Sequence, residues 1–158
     1  MYRSRVRPGI LLADDHPDLL KALRDVMGEL GEVVGTVGDG EALVQAGQQL
    51  KPDIIFTDIS MPKMNGLEAT RALQAQVPES RVIILTSHQE PAYVTLAFAA
   101  GARGYVLKKT ALYAELSQAL LHVLAGDRYI GLEVRGEWEL GDGAFASGLI
   151  RSERPSMR

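Results

Sequence analysis

Short apolar runs recur along the chain, each followed by a helical pattern. Ile10-Leu11-Leu12-Ala13 is a continuous apolar run that predicts a buried strand ending at Asp14-Asp15. Pro17 suits a first helical turn. Leu19, Leu20, Leu23, Val26, Met27 and Leu30 then follow at helical spacing, up to Gly31. Val33 to Val37 predicts a second strand, and Asp39 is placed to cap a helix over about 41–50. Pro52 interrupts the chain before a third strand, Asp53 to Thr57. Asn65-x-x-Glu68 has the form of a capping box, opening a helix that stops near Pro78. Arg81 to Leu85 predicts a fourth strand, Pro91 to Gly101 a helix, Gly104 to Leu107 a fifth strand, and Leu112 to Gly126 a last helix capped by Thr110.

Strict strand–helix alternation implies a parallel sheet with helices on both faces, joined by right-handed crossovers. The near-continuous apolar strands agree, because parallel strands are buried on both sides. Residues 127–158 break the alternation. Gly141-Asp142-Gly143 is a turn signal between Trp138-Glu139-Leu140 and Phe145, so this stretch is expected as a small hairpin or a loose extension. Trp138, Leu140 and Phe145 are the side chains there that would pack on the rest of the chain or across a dimer.

Composition narrows the function classes. A net charge of −3 argues against a broad electrostatic footprint for nucleic acid. The absence of cysteine excludes disulfides, thiolate metal sites and thiol chemistry. No apolar run approaches the roughly 18 residues of a membrane span, and the Arg-bearing start, Met1 to Pro8, lacks the apolar core of a signal peptide.

The chemistry gathers at the strand ends. Parallel strands bring their carboxyl ends together, at the edge where open α/β sheets bind ligands. The first strand delivers Asp14 and Asp15, the third Asp58, the fourth Thr86 and the fifth Lys108. Taken singly, each has an ordinary structural reading: a strand-end turn, a helix cap, a solvated charge. Together they make an all-oxygen donor set with one ammonium, which suits Mg²⁺ and a phosphoryl group. A carboxylate is a competent covalent nucleophile in such a place. The first strand–helix loop reads Asp-Asp-His-Pro rather than a glycine-rich phosphate cradle, and position 60 is serine, so no Asp-x-Asp phosphatase pair starts at Asp58. His16 reads as a helix-start residue and His88 as a solvent-facing loop residue.

Residues 9–126 resemble the receiver domain of bacterial two-component response regulators. The residues that carry the resemblance are Leu12-Ala13-Asp14-Asp15-His16-Pro17, the stretch from Asp58 to Gly66, Ile84-Leu85-Thr86, and the stretch from Gly101 to Lys109. The Asp-Asp-His-Pro and Gly-Tyr-Val-Leu-Lys-Lys versions are most similar to the subfamily that precedes a LuxR-type (NarL/FixJ) helix-turn-helix domain. The resemblance implies a flavodoxin-like (βα)5 three-layer sandwich with a parallel five-stranded sheet in the order 2-1-3-4-5. It implies Asp58 as the phosphoacceptor, with Mg²⁺ held by Asp14, Asp15, Asp58 and the backbone carbonyl of Ser60. Lys108 would pair with Asp58 or the phosphoryl group, Thr86 would bond a phosphoryl oxygen, and Tyr105 would change rotamer in step. Ser60 and His88 stand at positions that tune the phosphoryl lifetime in the family. Lys109 stands where many receivers have proline.

The implied protein is a cytoplasmic signalling switch rather than an enzyme with turnover, its chemistry confined to phosphorylation and dephosphorylation of its own aspartate. Its partners would be a histidine kinase or phosphotransfer protein, an output protein met through the fourth helix, fifth strand and fifth helix, and a second copy in a homodimer. Three segments are expected: a tail at 1–8, the receiver at 9–126, and an extension at 127–158 with no recognisable output domain. A LuxR-type DNA-binding domain takes on the order of 60 residues and several helices. The extension shows no helix-turn-helix pattern and no basic face, so direct DNA binding is disfavoured. The alternative is a transcription regulator that has lost or lacks that domain.

Overall fold

The computed structural model describes residues 7–110 and 113–140. Six parallel strands form one sheet in the order β2-β1-β3-β4-β5-β6. They are β1 (Gly9–Ala13), β2 (Glu32–Val37), β3 (Ile54–Thr57), β4 (Arg81–Thr86), β5 (Gly104–Leu107) and β6 (Tyr129–Ile130). The helices are α1 (Pro17–Met27), α2 (Gly40–Leu50), α3 (Gly66–Gln76), α4 (Pro91–Ala100), α5 (Tyr113–Leu124) and α6 (Leu132–Leu140).

Strand side chains alternate between two cores, as the period of two requires. Ile10, Leu12, Phe56, Leu85 and Val106 pack with Leu23 and Met27 of α1 and with Leu116, Leu120 and Val123 of α5. Leu11, Ile55, Ile84 and Tyr105 face the other way, toward Leu43 of α2, Leu73 of α3, Val94 and Ala97 of α4, and Val134 and Trp138 of α6. The central strands are therefore apolar on both faces, and the result is the three-layer sandwich expected.

Local signals set the helix starts. Asp39 accepts a hydrogen bond from the Ala42 N–H at 2.8 Å. Asn65 and Glu68 form the capping box, with the Glu68 N–H bonded to Asn65 at 2.8 Å and the Asn65 N–H bonded to Glu68 at 3.0 Å. Gly101 closes α4 at φ 108°, a left-handed position that glycine adopts without a steric penalty. α1 stops at Met27 rather than near Gly31. Gly28, a poor helix former, bonds back to Arg24, and the Leu30 and Gly31 N–H groups both return to the Met27 carbonyl in a closing turn.

Residues 127–140 form neither a hairpin nor a loose extension. The Tyr129 N–H donates to the Arg103 carbonyl at 2.9 Å and the Gly131 N–H to the Tyr105 carbonyl at 2.8 Å, so the chain continues the sheet beyond β5. Trp138 lies in a helix, not a strand, and it packs on the rest of the chain with 1% of its surface exposed. Val134 and Trp138, one helical turn apart, supply the apolar contact that orders α6. The Gly141-Asp142-Gly143 turn, Phe145 and Leu112 lie outside the described residues. Among those residues no helix is long and apolar enough to cross a membrane.

Candidate functional site

Strand register places the site. Ala13 pairs with Thr57, Thr57 with Ile84, and Thr86 with Leu107, so the ends of β1, β3, β4 and β5 share one edge. Asp14, Asp58 and Lys108 each follow directly on a buried strand.

The Lys108 ammonium joins two of the carboxylates. Its Nζ lies 2.7 Å from Asp14 Oδ2 and 2.8 Å from Asp58 Oδ2. Both aspartates are buried, with 2% and 4% exposure. Burial alone would lower the Lys108 pKa, but its hydrogen bonds to Asp14 and Asp58, and then their charge, outweigh that and raise it. The other Asp58 oxygen, Oδ1, accepts from the Ile59 N–H at 2.7 Å. Asp58 is thus held on both oxygens, one by a backbone donor and one by a cation.

Asp15 is brought in by a residue read only as a helix start. His16 Nδ1 lies 2.9 Å from Asp14 Oδ1 and 3.1 Å from Asp15 Oδ1, and the His16 N–H also donates to Asp14 Oδ1 at 3.0 Å. The hydrogen bond to Asp14 and then the charges of Asp15 and Asp14 raise the pKa of this exposed imidazole. One cation-sized point therefore already collects an oxygen from each of the two aspartates. Asp14, Asp15 and His16 offer two carboxylate oxygens and an imidazole nitrogen within 4.8 Å of one another, a group able to hold a divalent cation, and Lys108 links Asp14 to Asp58 beside it.

Thr86 is fully buried, and its Oγ1 accepts from the His88 N–H at 3.3 Å. Tyr105 is also buried, and its hydroxyl donates to the His88 carbonyl at 2.8 Å. Burial first, then the carboxylate of Glu90, the neighbouring Tyr93 phenol and the carboxylate of Asp58, pushes the phenol pKa upward, so it stays a donor. His88 is not merely a loop residue facing water. Its Nε2 lies 3.0 Å from Ser60 Oγ and its ring stacks on Tyr93 with centroids 4.2 Å apart. The sequence signals for His88 are its place two residues beyond Thr86 and the family position it shares with Ser60; for His16 the signal is adjacency to the aspartate pair.

The loop from Asp58 to Gly66 folds tightly back on itself. The Gly66 N–H donates to the Ile59 carbonyl at 2.8 Å. A Cβ on Gly66 would collide with the Asp58 carbonyl oxygen and crowd Ile59 Cα. Because those atoms are backbone, Gly66→Ala is expected to cost stability near the upper end of roughly 1–3 kcal/mol, measured by urea unfolding. An unchanged midpoint would show that the loop can relax around the added methyl. The Lys108–Lys109 peptide bond is trans.

The protein is thus a doubly wound parallel α/β domain with an acidic cluster and a lysine at the carboxyl ends of β1, β3 and β5. A family model described as the response regulator receiver domain matches residues 10–120. Response regulator GacA of Pseudomonas aeruginosa is 38% identical over 130 residues, covering 79% of this chain and 59% of that protein. Transcriptional activator protein ExaE of Pseudomonas putida is 40% identical over 124 residues, covering 77% of this chain and 58% of that protein. Among solved structures, a LuxR-family two-component response regulator from Aurantimonas superposes with a TM-score of 0.79 at 34% identity, covering 84% of this chain and 95% of that one. The isolated REC domain of RcsB from Salmonella enterica, in the presence of phosphomimetic BeF3−, superposes with a TM-score of 0.74 at 26% identity, covering 82% and 96%. This chain belongs to the response regulator receiver family of two-component systems, whose typical function is phosphorylation-dependent signalling. It spans about 59% of the length of the GacA relatives it matches.

Proposed function

We propose that this protein is a phosphorylation-controlled switch in which Asp58 accepts a phosphoryl group from a histidine kinase or phosphotransfer protein. The observation that carries the reading is the Lys108 ammonium held between Asp14 and Asp58. An Asp58 oxygen would attack phosphorus, the P–N bond to the donor imidazole would break, and an acyl phosphate would form on Asp58. Positioning and charge neutralisation are most of what such a transfer requires. Ile59 N–H and Lys108 fix the carboxylate, and Lys108 supplies positive charge where phosphoryl oxygens gather.

Asp14, Asp15, Asp58 and the Ser60 backbone carbonyl would hold Mg²⁺, and the closeness of the Asp14 and Asp15 carboxylates supports that assignment. When bound, the ion would neutralise charge on the phosphoryl oxygens. The Thr86 hydroxyl would then donate to a phosphoryl oxygen, and Tyr105 would shift in step, biasing two conformations of the chain. We place the protein in the cytoplasm, with a second copy and an output protein as further partners. Its chemistry would stay confined to making and losing its own acyl phosphate.

A second reading is a part in transcriptional regulation. The names of ExaE and of the relative DegU of Brevibacillus brevis favour it, and salt-sensitive, sequence-preferring DNA binding by this chain would support it.

Titration with beryllofluoride, a phosphoryl mimic, tests the switch reading. Saturable binding is expected with Mg²⁺ and none with chelator. Failure to bind under both conditions would contradict the assignment.

A further inference from the structure

α6 rests on two separate supports. At its start, the Gly131 N–H is bonded to the Tyr105 carbonyl of β5 at 2.8 Å. The Glu115 carboxylate of α5 accepts from the Leu132 N–H and the Tyr129 hydroxyl, each at 3.2 Å, which satisfies one of the free amides of the first turn. At its other end the contacts are with α4. The Trp138 indole N–H donates to Thr95 Oγ1 at 3.1 Å, and its ring lies 6.0 Å from that of Phe98. A helix of nine residues with Gly136 in its middle gains little from its own backbone, so these contacts hold it.

α4 is in turn tied to the site through His88. That one residue bonds Thr86 through its N–H, Tyr105 through its carbonyl and Ser60 through Nε2, and it stacks on Tyr93 in the first turn of α4. A phosphoryl group on Asp58 would add negative charge and three strong acceptors beside this cluster. Thr86 Oγ1 now accepts from the His88 N–H at 3.3 Å and Ser60 Oγ lies 3.0 Å from His88 Nε2; a hydroxyl that moves to donate to a charged oxygen makes a stronger bond than either. Drawing those hydroxyls toward Asp58 would loosen His88, and with it Tyr93 and the start of α4. β5 is paired on both sides, with β4 and β6, which holds it in the sheet. The two supports of α6 would then separate.

We propose that α6 is a clasp released by phosphorylation. It is docked on α4 in the unmodified chain and undocked when Asp58 carries a phosphoryl group, which uncovers Phe98 and the α4 surface around Thr95. The proposal rests on Asp58 as acceptor. Linkage requires the converse: weakening the clasp favours the phosphoryl-bound state by the same factor.

Trp138 is the only tryptophan, so its fluorescence reports the clasp directly. Acrylamide quenching is measured on the full chain with Mg²⁺, with and without beryllofluoride, while ¹⁹F NMR of bound beryllofluoride reports occupancy independently. A several-fold rise in the quenching constant is expected on binding, and none in Asp58→Asn. Thr95→Val removes the acceptor for the indole with little change of shape. It should raise quenching without any beryllofluoride and tighten beryllofluoride binding several-fold. Full occupancy with unchanged quenching would overturn the clasp and leave Asp58 as acceptor intact. A rise that persists in Asp58→Asn would also overturn it. Absence of beryllofluoride binding would overturn both readings.

Discussion

Asp58→Asn will remain folded and will take up no phosphoryl group from acetyl phosphate and Mg²⁺. The amide oxygen can still accept the Ile59 N–H, which Asp58 Oδ1 does at 2.7 Å. Lys108 keeps its bond to Asp14 at 2.7 Å, so no buried charge is stranded. What disappears is chemistry. An amide spreads its lone pair over the C–N bond and lacks the anionic oxygen that attacks phosphorus. Labelling measured by intact mass should therefore fall to background, while urea unfolding stays cooperative. Labelling that persists at the wild-type rate would move the acceptor elsewhere.

Lys108→Met should produce the largest loss of stability at the site. Its ammonium is the only cation that contacts both Asp14 and Asp58 among the described ion pairs, and it is itself 18% exposed. Methionine fills much of the same space and leaves two nearly buried carboxylates facing each other. Breaking a buried ion pair by removing one partner costs about 3–5 kcal/mol. The partial exposure of Lys108 puts the expected loss near 3 kcal/mol at pH 7 without divalent cations. Added Mg²⁺ should recover part of it, because an ion that binds only the folded state stabilises that state.

The pH dependence of that gap has a definite sign. The folded pKa of Lys108 is raised, so its contribution is full below the ordinary lysine value of about 10.4 and is lost as pH rises through the raised value. The wild-type and Lys108→Met unfolding curves should lie apart at neutral pH and converge in strong alkali. Equal stability at pH 7 without Mg²⁺ would show that the aspartates do not depend on this lysine.

The part of the site that stands on strand ends was legible without coordinates. Asp14, Asp58 and Lys108 each follow an apolar run long enough to declare a buried parallel strand, and parallel strands must bring their carboxyl ends together. The capping box at Asn65 and Glu68 was legible for a similar reason, since both partners lie within one turn.

What was missed depends on contacts distant in sequence. β6 is two residues long, too short for any alternation to show. α6 offers one i, i+4 apolar pair, Val134 and Trp138, around a glycine, and its order comes from α4 and β5 rather than from propensity. The central place of His88 follows from Ser60, Tyr93 and Tyr105 converging on it, and His16 joins Asp15 to the site only because the turn after β1 folds its ring back. The α4–β5 part of the face expected to meet an output protein carries α6 in this structure, so that face is already engaged by the chain itself.

We propose the carboxylate at the end of β3 as the group that receives the phosphoryl. Acetyl phosphate treatment with Mg²⁺, followed by borohydride reduction and peptide mass spectrometry, tests it most directly, because the acyl phosphate alone is reduced to an alcohol. Homoserine is expected at position 58 in the wild-type chain and at no other aspartate. Reduction at Asp14 or Asp15 with position 58 untouched would contradict it.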